Sequence, residues 1–230
     1  MTKRFWTMEN RAEEVFVDLL GIIGEGMDGE ESVSAAQFIR ELRAVKGGKR
    51  LVLTIHSAGG SVWDAIGIFE ALRAYPGEKV ARVPALAASA ATIVMVAADT
   101  IQVGDRATIM IHDPHTIGIG GAEDFEATAR RLRRGKEQIV AIYHKRTGIP
   151  TEKLSKWMSD ETWWTRGRDA IADGFADEVL NEHKSRSYQI AACAPELLRH
   201  YKHVPKCLKR GKPAPVSADV RERLKRLGIQ

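Results

Sequence analysis

Residues 50–72, RLVLTIHSAGGSVWDAIGIFEAL, carry in one stretch the signals that decide the fold. Residues 50–55 are aliphatic and β-branched with no regular polar face, the composition of a strand buried on both sides. Ser57, Ala58, Gly59 and Gly60 follow, small residues that permit a tight turn. From Val62 onward the apolar residues Ala65, Ile66, Phe69 and Leu72 recur near helical spacing, and Pro76-Gly77 closes the segment. A buried strand that passes through a glycine turn into an amphipathic helix is the building unit of an α/β protein.

The same alternation extends in both directions. Residues 14–23 (EVFVDLLGII), ending at Gly24 and Gly26, read as a buried strand. Residues 32–45 read as a helix with Ser32 or Ser34 as N-cap and Gly47-Gly48 behind it. Downstream the pattern predicts a strand over 79–83, an Ala-rich helix over 88–98, and strands over 100–103 and 108–111. A loop with Gly118, Gly120 and Gly121 precedes a long helix over 123–147; short helices over 151–158 and 167–173 lead to a last strand over 176–180. Alternating strands and helices predict parallel pairing with right-handed crossovers. No solenoid-type repeat is visible.

Of the 230 residues, 44% are hydrophobic and 28% charged, enough apolar material for one sizeable core and too much for disorder throughout. The net charge of +5 is uneven: residues 181–230 hold 12 Lys/Arg against 4 Asp/Glu, which leaves the body mildly acidic. Beyond residue 183 the periodicity weakens, Pro195, Pro205, Pro213 and Pro215 interrupt it, and only 218–227 reads as helical. Residues 1–182 therefore read as one domain and 183–230 as an appended basic tail, partly disordered. Cys193 and Cys207 make neither a CxxC metal site nor a disulfide framework, which predicts a reducing compartment. Neither a signal-peptide pattern nor an apolar run of membrane-spanning length is present, so the expected location is the cytoplasm, with no membrane partner.

Four segments bear chemistry. Ser89 stands where a strand gives way to the Ala-rich helix, beside unpaired N–H groups that favour developing negative charge; the plainer reading is an N-cap or packing residue. Gly59-Gly60 lies at the carboxyl end of a strand, where open α/β sheets bind ligands and where a backbone N–H can be aimed at an oxyanion; the plainer reading is a turn. The spacing of a phosphate-binding glycine loop is absent. His112 ends an apolar strand, as a general base or as a structural histidine. Asp160-Glu161 precede Trp163-Trp164, as an acid or as helix-flanking charge beside core anchors. Serine, histidine and an acid on separate elements are the parts of a hydrolytic triad.

Together these segments resemble the Clp-type serine proteases, and among them the phage prohead (head maturation) proteases more than the bacterial housekeeping enzyme. The matching signatures are SAGGSVWDAIGIFEAL (57–72), AASAA (87–91), ATIMIHDPH (107–115), DETWWT (160–165) and DAIADGFADEV (169–179). The likeness spans about residues 14–182 and implies a Clp/crotonase-type α/β fold of repeated β-β-α units with a long handle helix. Carried over position by position, Ser89 falls on the nucleophile, His112 on the general base, and Glu161 on the acid, with Asp160 as the neighbour able to substitute. Gly60 and the N–H of Ala90 fall on the oxyanion donors, and Gly59 with the Gly118, Gly120 and Gly121 loop on the substrate-binding backbone. Departures are Ala90 after the nucleophile in place of the usual methionine, Ala58 in place of proline, His56 where asparagine is common, Glu for Asp as the acid, and one extra residue between Trp164 and Ala170.

The resemblance implies a serine endopeptidase that needs no ATP of its own and no metal or organic cofactor. It implies a homo-oligomeric ring acting on protein or peptide substrates, with phage head-assembly proteins such as scaffold, the chain itself, or a docked unfoldase as candidate partners. His56, His115 and His144 have no ligand partner at metal spacing. The basic run 130–136 reads as a solvated or inter-subunit face of the handle in preference to a nucleic-acid patch, and Lys206, Lys209, Arg210 and Lys212 read equally as a free, screened tail or as a contact for a capsid interior, scaffold or DNA. Two other readings stand beside the peptidase: a crotonase-like acyl-CoA enzyme, and an inactive Clp-like assembly protein.

Overall fold

A computed structural model describes residues 6–24, 35–180 and 201–205. Ser32, Ser34, Cys193, Cys207, the basic residues 206–212 and the helix expected over 218–227 lie outside the described residues.

The strand of the opening stretch, β3 (Arg50–Gly60), is the axis of the molecule. Nine of its eleven residues are buried, which explains the missing polar face in its sequence. On one side it pairs in parallel with β2 (Glu14–Ile23), itself joined antiparallel to β1 (Trp6–Asn10). On the other side its two halves part company. Leu51 to Thr54 pair with β4 (Lys79–Val83), whereas Ser57 pairs with Ala87 of β5 (Leu86–Ala88). From β4 the sheet continues through β6 (Thr100–Val103) to β9 (Glu178–Val179); from β5 it continues through β7 (Thr108–Ile111) to β8 (Thr162–Trp164). The β8-β7-β5 branch carries the candidate residues Ser89, His112 and Glu161 at its strand ends.

Helices cover this sheet as the apolar periodicity requires. Helix α1 (Ala35–Ala44) buries Phe38 and Leu42. Helix α2 (Val62–Ala74) is capped by Ser61, whose hydroxyl accepts from the Asp64 N–H, and buries Ala65, Ile68, Phe69 and Leu72. Each such large side chain removed from water contributes about 1.5–3 kcal/mol. Helix α3 (Ala90–Met95) is wholly buried. Helix α4 (Ala122–Thr147) runs for 26 residues but buries only Gly135, Ile139, Val140 and Tyr143, all in its second half, so its first half stands away from the core. Helices α5 (Thr151–Ser159) and α6 (Gly167–Ala172) frame β8.

This is the mixed α/β architecture expected of the Clp-type fold, with some differences from the sequence reading. β1, β5 and β8 are additional strands, the expected strand over 176–180 contracts to two residues, and the Ala-rich helix expected over 88–98 spans only Ala90–Met95. Tertiary pairing overrides helix propensity there: Leu86, Ala87 and Ala88 are held in extended form against Thr108, Ile109 and Met110. No helix of the described residues is long and apolar enough to cross a membrane.

Candidate active site

Strand register explains how residues far apart in sequence meet. Ala88 faces Met110 across the parallel β5–β7 pair, so Ser89 and His112 both emerge at the carboxyl ends of neighbouring strands. Ile111 faces Thr162 across the antiparallel β7–β8 pair, which sets Glu161 opposite His112 one step further on. Ser57 faces Ala87, so Gly59 arrives beside Ser89.

The Ser89 hydroxyl lies 2.7 Å from His112 Nε2. Ser89 holds φ 55 and ψ −129, and Glu161 holds φ 57; they are the two non-glycine residues with positive φ among the described residues. Such backbone costs about 1–3 kcal/mol and persists where the surroundings over-determine it. At Ser89 the strand-to-helix turn is pinned from three sides. Its N–H donates to the Met110 carbonyl at 2.9 Å, its carbonyl accepts from the Thr92 N–H and, at 2.6 Å, from the Thr92 hydroxyl. The Thr92 hydroxyl also bonds the buried Tyr143 hydroxyl at 2.7 Å, which ties the turn to α4.

Gly59 and Gly60 are needed at this place. A Cβ at Gly59 (φ +107) would stand 2.7 Å from Ser89 Cβ and 3.1 Å from the Ala90 nitrogen. A bare Gly59 therefore leaves the Ala90 N–H uncovered in the first turn of α3, where helix N–H groups have no intrahelical acceptor. A Cβ at Gly60 (φ +143) would meet the Ile23 carbonyl oxygen at 2.1 Å, so the β2–β3 closure also demands glycine.

His112 is half-buried, and burial, reinforced by the neighbouring His115, pushes its pKa down to about 4 against the opposing pull of Glu161 and Asp113. It is thus neutral at neutral pH, the form that accepts a proton. Glu161 is buried, yet its carboxyl pKa is lowered: burial acts upward and is outweighed by hydrogen bonds from the main chain of His203 and Lys202 and from Trp163, with the charge of His112 adding to them. These are Lys202 N–H to Oε2 at 2.7 Å, His203 N–H to Oε1 at 2.7 Å and Trp163 Nε1 to Oε1 at 3.1 Å. No hydrogen bond joins Glu161 to His112 among the described residues. Asp160 points elsewhere, to Lys156 at 2.6 Å on the surface. Asp113, next to the histidine, is held by Lys136 at 2.8 Å and by Ser159.

Gly118, Gly120 and Gly121 lie in the exposed loop that leads into α4, where the Gly121 N–H donates to Asp124 and Ile117 and Ile119 stand in solvent. Beside Gly60 a groove of about 290 Å³ opens between Trp63, His115 and Leu132, large enough for a substrate side chain. In the basic run of α4, Leu132 and Gly135 line or face this groove, Lys136 serves Asp113, and Arg130 pairs with Glu126.

Comparison with known proteins bears on what this arrangement is. A family model described as Clp protease matches residues 21–183. The chain belongs to the Clp protease family. An ATP-dependent Clp protease proteolytic subunit of Bacteroides fragilis is 28% identical over 172 residues, covering 72% of this chain and 81% of its own length. The corresponding subunit of Porphyromonas gingivalis is 32% identical over 143 residues, covering 60% and 62%. Proteolytic subunit 1 of Protochlamydia amoebophila is 28% identical over 181 residues, covering 76% and 86%. The Clp protease match takes in the strand-end cluster of Gly59, Ser89, His112 and Glu161, and leaves out β1 and residues 201–205.

Residues 201–205 are what sequence reasoning missed. Tyr201, placed in the tail by weak periodicity, donates its hydroxyl to the Ala58 carbonyl at 2.9 Å and packs edge-on against the His112 ring at 4.9 Å between centroids. The other omission is Trp163, read as a core anchor, whose indole N–H serves Glu161.

Proposed function

We propose that this member of the Clp protease family is a serine endopeptidase that cleaves proteins by acyl transfer, with Ser89 as nucleophile and His112 as general base. The observation that carries the reading is the 2.7 Å contact between the Ser89 hydroxyl and Nε2 of a neutral His112. As Oγ attacks a peptide carbonyl carbon, its proton passes to Nε2 and the carbonyl electrons move onto oxygen, an oxyanion to which the N–H groups of Gly60 and Ala90 donate hydrogen bonds. Collapse expels the amine, which takes the proton from His112, and leaves an ester on Ser89. Water, activated by the same imidazole, then releases the acid and restores the serine. Glu161, opposite the histidine in the strand ladder, stabilises the imidazolium by its charge, in preference to Asp160. The groove at Trp63 receives a substrate side chain, and Gly59 with the Gly118, Gly120 and Gly121 loop pairs the substrate backbone.

In this reading the subunits assemble into a ring in the cytoplasm, and the substrates are phage head-assembly proteins such as scaffold, with the chain's own tail as a further candidate. The support for that substrate class is the likeness of the segments at 57–72, 87–91, 107–115 and 160–179 to head maturation proteases. The test is proteolysis of an unfolded protein by the assembled chain. Wild type is expected to cleave, and Ser89→Ala and His112→Ala to assemble but not cleave; cleavage that survives Ser89→Ala would place the nucleophile elsewhere. Absence of cleavage and of active-site labelling in a folded, tail-free assembly favours the assembly-protein or acyl-CoA readings.

A further inference from the structure

Residues 201–205 lie against His112 and Glu161. Tyr201 is seated over the Ser89–His112 pair: its ring contacts His112 at 4.9 Å, His115 at 6.2 Å and Trp163 at 5.9 Å between centroids, and it packs on the small apolar cluster of Ala58, Leu86, Ala88 and Met110. Its hydroxyl is sequestered enough that burial raises its pKa to about 12, with the nearby Ser89 acting the other way. The next two residues give their N–H groups to the two oxygens of Glu161, and Val204 is buried. The carboxylate that stands opposite His112 is therefore engaged by main chain from the tail, and acts on the histidine through space only. Two independent contacts, one on the nucleophile pair and one on the acid, come from a single five-residue segment. That segment lies outside the stretch matched by the family model.

We propose that residues 201–205 form a tethered strap that docks in the active site and holds the enzyme latent, with Tyr201 covering the nucleophile and the Lys202 and His203 N–H groups withholding Glu161 from His112. The inference rests on the peptidase reading for what is inhibited, but the docking itself does not. Release of the strap uncovers Ser89 and rehydrates His112, and it leaves Glu161 two free oxygens with which to accept a hydrogen bond from the imidazole. If the open form makes up about 1–10% of the population, every rate that needs an open site is lowered by roughly 10- to 100-fold.

The experiment follows the full chain, Tyr201→Ala and a chain ending at residue 195 by two readouts. The first is the His112 pKa by NMR, which reports docking whether or not the site is reactive. The second is the rate of labelling by a fluorophosphonate. With the strap removed, the His112 pKa is expected to climb from about 4 toward or above its ordinary 6.5, and labelling to quicken roughly 10- to 100-fold. A synthetic peptide of residues 199–206 added to the truncated chain should reverse both effects. An unmoved His112 pKa overturns the strap. A raised pKa with labelling no faster overturns latency, and if no form of the chain is labelled at all, the peptidase reading falls with it while the docking stands.

Discussion

Gly59→Ala tests how the turn at Ser89 is built, because two costs can be separated by a control. Both Gly59 (φ +107) and Gly47 (φ +88) sit in backbone that an L-residue resists, at about 1–2 kcal/mol. At Gly47 an added Cβ meets nothing within 4 Å, so Gly47→Ala should lose only that amount and leave the site untouched. At Gly59 the added Cβ stands 2.7 Å from Ser89 Cβ, 2.9 Å from the Ala88 oxygen and 3.1 Å from the Ala90 nitrogen, all on a turn that cannot retreat because Ser89 is bonded to Met110 and Thr92. Overpacking of this kind costs a further 1–3 kcal/mol, roughly. It also covers the Ala90 N–H and displaces Ser89 from His112. Loss of one oxyanion donor alone lowers rate by roughly 100- to 1,000-fold. Urea unfolding and fluorophosphonate labelling of the two variants, both in the chain ending at residue 195, provide the assay. Gly59→Ala should lose more stability than Gly47→Ala and nearly all labelling, whereas Gly47→Ala should label at the parent rate. Equal labelling of the two variants would refute the packing argument.

Other outcomes are expected on the same grounds. Glu161→Gln keeps one acceptor oxygen but turns an N–H₂ toward the N–H donors on the other, and in the full chain should lose about 1–3 kcal/mol by urea titration; in the chain ending at residue 195, where the strap is gone, it should lower the peptidase rate, while Asp160→Asn, which breaks a surface pair with Lys156, should change stability by less than about 1 kcal/mol and rate not at all. Tyr143→Phe removes the partner of the Thr92 hydroxyl and should cost about 1 kcal/mol with a modest drop in labelling, measured side by side. Acid should destabilise the full chain. The folded pKa of His112 lies below its ordinary 6.5, so the stability carried by its neutral form is whole above 6.5 and is lost as pH falls toward about 4; Glu161, with a lowered pKa, loses its contribution as pH falls below the carboxylate range. Urea midpoints measured between pH 7.5 and pH 4, roughly, should decline monotonically; a midpoint that rises on acidification would contradict both assignments.

Much of the scaffold was legible because its signals are local. The buried strand at Glu14–Ile23, the helix that begins after Ser61, and α4 up to Gly148 agree with the apolar periodicity and terminal residues that announce them. Where pairing partners decide, local signals fall silent. Ala88 reads as helical but is extended by its neighbours, and Thr162, Trp163 and Trp164 become a strand only because β7 offers an edge. Trp164 is core as expected, against Phe175 at 4.7 Å, but Trp163 belongs to the site. Ser89, His112 and Glu161 were visible as candidates, and register explains their meeting. Tyr201 was invisible: its contact with Ala58 spans 143 residues, and nothing in the composition of the tail points to an aromatic anchor.

The most direct measurement is mass mapping of a fluorophosphonate adduct on the strap-free chain and on its His112→Ala variant. The account predicts a single adduct on Ser89, formed quickly with His112 in place and hardly at all without it. An adduct on another residue, or equal labelling of Ser89 when His112 is gone, would contradict it.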